Sequence, residues 1–180
     1  LQVFKIPLEN FMEGGDVISL FLAPATAVLA LSVYSQLAVL KKHFLPVVCG
    51  CLAGSVVSMA SAAGLCMAFG LDDALTAAMI PKSVTTPIAM EISRQHGGLV
   101  AVTVAAVILT GILGAIFSPL LIKLFHITHP VAQGVGIGTS SHAVGTSKAV
   151  ELGEVQGAMS GVSIGISGII TVILSLFLPM

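Results

Sequence analysis

The 180-residue chain has no tryptophan and a single tyrosine, Tyr34. Those two residue types anchor membrane proteins at the lipid–water boundary, so the usual aromatic belt has almost nothing to be built from. Charge is also scarce: 8% of residues are Asp, Glu, Lys or Arg, and the net charge is −1. A soluble domain carries about 25% charged residues, which excludes one here. With 56% hydrophobic residues and a mean hydropathy of +1.09, the chain reads as an integral membrane protein embedded in the lipid bilayer. The near-zero charge also excludes an electrostatic footprint for nucleic acid. Cys49, Cys51 and Cys66 lie in one apolar segment with no histidine or second cysteine pair at zinc-ligand spacing. They read as small buried hydrophobes, and neither a metal nor a cofactor is expected. Residues 1–15 carry Lys5, Glu9 and Glu13, without the apolar core and cleavage site of a signal peptide.

What the chain does have is apolar length. A helix needs about 20 apolar residues to cross the hydrocarbon core, and six segments approach that: residues 17–34, 45–70, 74–93, 99–122, 131–152 and 155–178. The expected fold is therefore all-α integral membrane, with about six spans, the third and fifth broken at mid-membrane and related as a pseudo-repeat. Gly50 with Gly54, Gly111 with Gly114, and a stripe of Gly157, Gly161 and Gly165 are candidate faces for close helix packing. If all six segments cross, Lys41, Lys42 and Arg94 fall on one side, and Lys5 and Lys123 on the other. The excess places the first group in the cytoplasm.

The breaks carry the chemistry. Residues 81–91 read Pro-Lys-Ser-Val-Thr-Thr-Pro-Ile-Ala-Met-Glu, and residues 141–151 read Ser-His-Ala-Val-Gly-Thr-Ser-Lys-Ala-Val-Glu. Val84, Thr86, Ala89 and Glu91 recur sixty residues later as Val144, Thr146, Ala149 and Glu151. Proline in a helix interior removes a hydrogen bond and clashes with the preceding turn. In lipid such backbone survives only where protein surrounds it or where it lines an aqueous cavity. Thr86 before Pro87 is a good helix start, and Thr146 after Gly145 can serve in the same way. Each break then leaves a half-helix N-terminus near the midplane, an end that favours anions. Transporters build sites from such discontinuous helices.

Lys82, His142 and Lys148 add donors or positive charge, and intramembrane charge costs at least about 2.5–3.5 kcal/mol per residue on insertion scales. The candidate substrate-binding residues are Lys82, Ser83, Thr85, Thr86, Ser141, His142, Thr146, Ser147 and Lys148, with a small carboxylate anion as ligand. Glu91 and Glu151 are candidates for proton or ion coupling. Against this stands a structural reading: Lys82 pairs with Glu91 or Glu151 and Lys148 with the other, while the hydroxyls merely satisfy freed carbonyls. Ser140-Ser141-His142 could suggest a hydrolase, but no acid is placed to orient the histidine, and the chain is not expected to be an enzyme. Gly134, Gly136 and Gly138 follow no strand and do not read as a phosphate loop. His126 and His129 read as solvated loop residues.

The run Ile80-Pro81-Lys82-Ser83-Val84-Thr85-Thr86-Pro87-Ile88-Ala89 resembles a signature of the LrgB/CidB family of membrane proteins. So does Gly138-Thr139-Ser140-Ser141-His142-Ala143-Val144-Gly145-Thr146, followed by Glu151 and Gly157-Ala158. Thr110-Gly111-Ile112-Leu113-Gly114-Ala115 and the looser Phe21-Leu22-Ala23-Pro24-Ala25 also fit. The resemblance covers nearly the whole of residues 1–180 as a single transmembrane domain and implies one or two further spans before Leu1. It implies a multi-pass protein of the bacterial cell (inner) membrane, and a homo-oligomer is expected. Bacterial members of the family are described as partners of small holin-like LrgA/CidA proteins that modulate murein hydrolase activity and autolysis. Relatives that include the plastid glycolate/glycerate translocator carry small monocarboxylates such as pyruvate, glycolate or glycerate. The expected function is a carrier or facilitator for such acids, which agrees with the anion-friendly breaks. The alternative is a holin-associated regulator of autolysis.

Overall fold

The computed structural model describes residues 34–178, together with Leu20 and Leu31. Apart from Leu20, Leu31 and Tyr34, the expected first span, the lead-in with Lys5 and the motif at 21–25 lie outside the described residues. The described residues form seven helices and no strand: α1 Leu37–Lys42, α2 Phe44–Ala68, α3 Asp73–Met79, α4 Thr86–Gln95, α5 Val100–Leu124, α6 Pro130–Leu152 and α7 Glu154–Ser175. Three of them, α2, α5 and α7, are long and apolar enough to cross a membrane. At 1.5 Å per residue, the 25 residues of α2 and of α5 reach about 37 Å. In α2 the buried residues Val47, Cys51, Ser55, Met59, Ala62 and Cys66 recur every three or four positions, which puts them on one face. Leu52, Val56, Val57 and Leu65 on other faces are exposed, as suits residues that meet lipid.

The two broken segments turn back on themselves, and the expected count of six spans is not confirmed among the described residues. After α3 and α4 the chain returns to its starting point: Leu99 N donates to Ala74 O at 3.4 Å. A Cβ on Gly98 would lie 2.9 Å from Ala78 N. A segment whose two ends are hydrogen-bonded to each other cannot span the bilayer, so α3 and α4 form a first hairpin with residues 80–85 at its tip. α6 behaves the same way. Its reversal is at His142, with φ 42° and ψ −140°. A Cβ on Gly145 would sit 3.1 Å from Ile137 Cγ2, whereas eight residues of straight helix would separate them by about 12 Å. Near the base, Gln156 Nε2 donates to Gln133 Oε1 at 3.0 Å, and a Cβ on Gly157 would lie 2.8 Å from Val150 Cγ2. The two arms of α6 are thus a second hairpin, and α7 leaves from its base.

Helix α5 joins the hairpins and sets their orientation. It starts at the base of the first and leads, through residues 125–129, to the base of the second. The hairpins therefore enter from opposite ends and meet near the middle of α5. Gly111 and Gly114 make room for them, as the sequence suggested: a Cβ on Gly111 would lie 2.7 Å from His142 Cε1, and one on Gly114 would overlap Ser141. Gly50 and Gly54 similarly admit Val135 and Thr139.

Two expectations change with this topology. The rings of His43 and His129 stand 5.3 Å apart, edge to face, so Lys41 and Lys42 share an end with Lys123, and Arg94 belongs to the opposite end. The glycine stripe on α7 is not its packing face either. Gly157 is in contact, but Gly165 is exposed, with nothing within 4 Å of an added Cβ among the described residues. The buried face is Ser160, Ser163, Ser167, Thr171 and Ser175. Ser163 and Ser167 donate to carbonyls four residues back, and Ser175 to one three back. Small hydroxyls satisfied within their own helix let backbones approach almost as glycine does.

A Cβ on Gly138 would meet the Ser160 backbone, with Cα at 2.8 Å and C at 2.9 Å, and backbone cannot swing aside. Gly138→Ala is expected to lose about 1–3 kcal/mol by overpacking. Gly165→Ala, in open space, is expected to be neutral or to gain up to about 1 kcal/mol of helix propensity. Denaturant titration in detergent checks both, and equal midpoints would contradict the hairpin packing.

Candidate functional site

The first tip is a run of tight turns. Lys82 N donates to Met79 O and Val84 N to Pro81 O, each at 3.3 Å. Ile80 keeps helical geometry (φ −56°, ψ −47°), and α3 ends there because Pro81 has no N–H to continue the ladder. Helix α4 restarts with Thr85 at the cap position (φ −62°, ψ 147°), and no side chain caps it. The expected cap, Thr86, is the first helical residue instead, because Pro87 occupies the second position of the turn. The N–H groups of that first turn have no side-chain acceptor. Ile80, Pro81, Ser83 and Val84 are buried, and Thr85 and Thr86 half-buried.

The second tip is held by its histidine. His142 is buried and its Nε2 lies 2.9 Å from the Val107 carbonyl. Thr146 does not cap: its hydroxyl donates to His142 O at 2.9 Å and sits 2.7 Å from the Ser160 hydroxyl. The Ser140 and Ser141 hydroxyls are 2.9 Å apart, and that of Ser140 also reaches Gly136 O at 2.8 Å. The imidazole is thus committed to α5, and neither serine hydroxyl is bonded to it. Ser147 is exposed and donates to Val144 O at 2.7 Å.

Val107 is where the two tips come together. Its side chain packs with Val84 and Ala89 of the first hairpin, and its carbonyl receives His142 of the second.

The charged candidates separate into two kinds. Lys148 pairs with Glu151 at 2.6 Å and Arg94 with Glu91 at 2.8 Å, both local i,i+3 pairs that are at least partly exposed. Exposed pairs of this type contribute about 0–1 kcal/mol. The lysine–glutamate pairing weighed from the sequence therefore holds for Lys148 but not for Lys82. Among the described residues, Lys82 Nζ has one hydrogen-bond partner, the Ser58 hydroxyl at 3.3 Å, and no ion pair.

Lys82 lines a cleft of about 530 Å³ bounded by α2, α5 and the first arm of α6, with Ser58, Ser118, Thr139, Ser140 and Ser141 among its other lining residues. An ammonium and several hydroxyls along one apolar-walled cleft can hold a small carboxylate by a charge-assisted hydrogen bond. The cleft brings together Lys82 and Ser141 from the candidate set. Thr146 and His142 support the tip from behind, and Ser147, Lys148, Glu91 and Glu151 lie outside its lining. Ser58, Ser118 and Thr139 escaped sequence reasoning, because a serine or threonine in an apolar span looks alike whether it faces its own carbonyl or a neighbouring ammonium. No group of three or more His, Cys, Asp or Glu is placed to hold a metal ion among the described residues.

Comparison with known proteins gives a match to the LrgB-like family over residues 1–180. The chain is 39% identical over 178 residues to "Uncharacterized protein YwbG" of Bacillus subtilis (strain 168), covering 99% of this chain and 79% of that one. It is 36% identical over 180 residues to "Antiholin-like protein LrgB" of Bacillus mycoides (strain KBAB4), covering 99% and 78%. Another protein of that name, from Bacillus cereus (strain B4264), gives the same identity and coverage. No solved structure matches.

At φ 42° a side chain is strained, by about 1–3 kcal/mol in sparsely populated backbone regions. His142→Ala keeps that strain and loses the bond to α5, whereas His142→Gly loses the bond but relaxes the backbone. The glycine variant is expected to be the more stable of the two, both falling below the parent, when thermal unfolding is compared in one detergent. The reverse order would argue against the reversal at residue 142.

Proposed function

The chain belongs to the LrgB-like family, and on that premise we propose that it is an antiholin-like membrane protein. In this reading it sits as a multi-pass protein in the bacterial cell membrane and restrains a small holin-type partner, and thereby murein hydrolase activity and autolysis. The observation that carries the reading is the name shared by relatives 36% identical over the full 180 residues. The architecture is compatible with it: α2 and α5 present broad exposed apolar faces, among them Val57, Leu65, Leu109, Ile116 and Leu120, against which a partner helix can pack in lipid. Co-expression with a holin-type pore former in a bacterial host tests it. The expected result is delayed release of a cytoplasmic enzyme relative to the holin alone. Unchanged timing at equal expression would overturn the reading.

A second reading is favoured by one specific observation. Two hairpins that enter from opposite ends and meet at mid-span, beside a lysine without a carboxylate partner among the described residues, are the kind of discontinuous, inverted arrangement that secondary transporters use. Under it the chain carries small monocarboxylates of the pyruvate, glycolate or glycerate type. Lys82 takes the carboxylate, and hydroxyls such as those of Ser58 and Ser141 orient it. Any coupling through Glu91 or Glu151 requires the pairs with Arg94 and Lys148 to open. Proteoliposomes are expected to take up labelled pyruvate saturably, in competition with glycolate. Loss of one charge-assisted hydrogen bond, about 1.5–3 kcal/mol, makes Lys82→Met weaken apparent affinity roughly tenfold or more. Uptake unaffected by the substitution would remove Lys82 from the site, and no uptake by the parent protein would end this reading.

A further inference from the structure

We propose that the Lys82 cleft is a vestibule that holds water, open among the described residues to the end of the bundle that carries Lys41, Lys42 and Lys123, and closed to the end that carries Arg94. It extends the carrier reading of the same cleft but rests on separate observations. The first is continuity. A cavity of about 460 Å³ at the helix ends includes His43, His129 and Ala132 in its lining, and it shares Gly50, Val135 and Gly136 with the cleft. The two cavities therefore adjoin along α2 and the first arm of α6, from the His43–His129 rings towards Lys82.

The second observation is closure at the other end. Beyond Lys82 the first hairpin is dry: Ala77, Ala78, Ile80, Val84 and Ala89 are at most 2% exposed and Val107 is fully buried. Ser93, also fully buried, has its hydroxyl 2.7 Å from that of Thr103. These side chains fill the space between the tip and the base where Leu99 meets Ala74.

The third observation is solvation. An ammonium has three donors, and Lys82 has one neutral hydroxyl partner among the described residues. Leaving a half-buried ammonium short of acceptors within the bilayer is costly. Water in the cleft supplies the missing acceptors, and Ser140, exposed and lining the same cleft, gives that water a further partner. Lys41, Lys42 and Lys123 near the mouth add a positive field that draws small anions inward.

Cysteine accessibility tests this in proteoliposomes of known orientation, with Cys49, Cys51 and Cys66 replaced by alanine. Gly136→Cys enters open space, and Ser140→Cys is the second, deeper reporter if the first fails to fold. Lys123→Cys and Arg94→Cys mark the two ends. The cysteine thiolate, which needs water to form, attacks the sulfenyl sulfur of a membrane-impermeant methanethiosulfonate, giving a mixed disulfide and releasing methanesulfinate. Both cleft cysteines are expected to react from the Lys123 side roughly tenfold or more faster than from the Arg94 side. Silence at both while Lys123→Cys reacts, or faster reaction from the Arg94 side, would overturn the vestibule. Because labelling needs no substrate, a wet cleft without pyruvate uptake leaves this inference standing and removes the carrier reading. A dry cleft with uptake does the opposite.

Discussion

In hydrocarbon an open backbone has nowhere to find hydrogen bonds, and that constraint governs this molecule at one residue. Both hairpins end in non-helical turns at mid-span, and both are stopped against Val107 of α5. Its side chain covers Val84 and Ala89 of one hairpin, while its carbonyl meets the imidazole of the other. A carbonyl in mid-helix already accepts an amide from four residues on, so the histidine uses its second lone pair. Gly111 and Gly114, one and two turns further along, remove the side chains that would keep the second tip away. The polar tips survive in the bilayer because one apolar helix shields them from lipid.

Most of the chemistry at the tips was legible in the residues. Pro81, Pro87 and the polar run between them announce a break, and the recurrence sixty residues later announces a second. What could not be read was direction. Hydropathy measures how much apolar chain is available, and a hairpin of two short arms contains as much as one crossing. The evidence for reversal is in contacts between residues far apart in sequence, such as Leu99 with Ala74 and Gln156 with Gln133. The same limit explains the misplaced cap, since two adjacent threonines before a proline offer two registers, and the chain takes the one with Thr85 at the cap and Pro87 at the second helical position. It also explains the side assignments: they alternate with each crossing counted, so counting the first hairpin as a crossing moves Arg94 and Lys123 to the wrong sides until the second hairpin restores the parity.

The antiholin-like and carrier readings draw on different parts of the molecule. The first depends on outward surfaces of α2 and α5, which only have to meet another helix. The second depends on the interior, where a lysine, a buried histidine and paired hydroxyls are kept at depth despite the cost. A protein whose sole task was lateral association would have little use for an ammonium at its centre. A carrier, for its part, needs no family of antiholin-like names. Both tasks can be served by one chain, since the surfaces do not overlap with the tip residues.

The repeat has a consequence in arithmetic. Each copy consists of one hairpin, which adds no net passage through the bilayer, and one through-going helix, which adds one. A unit with an odd number of passages hands its successor to the opposite face. Fusing two such units head to tail therefore turns the second upside down without any further rearrangement. Lys82 and His142, sixty positions apart, become counterparts across an axis lying in the plane of the membrane. A single ancestral half, paired with itself as a dual-orientation dimer, would have built the same meeting point.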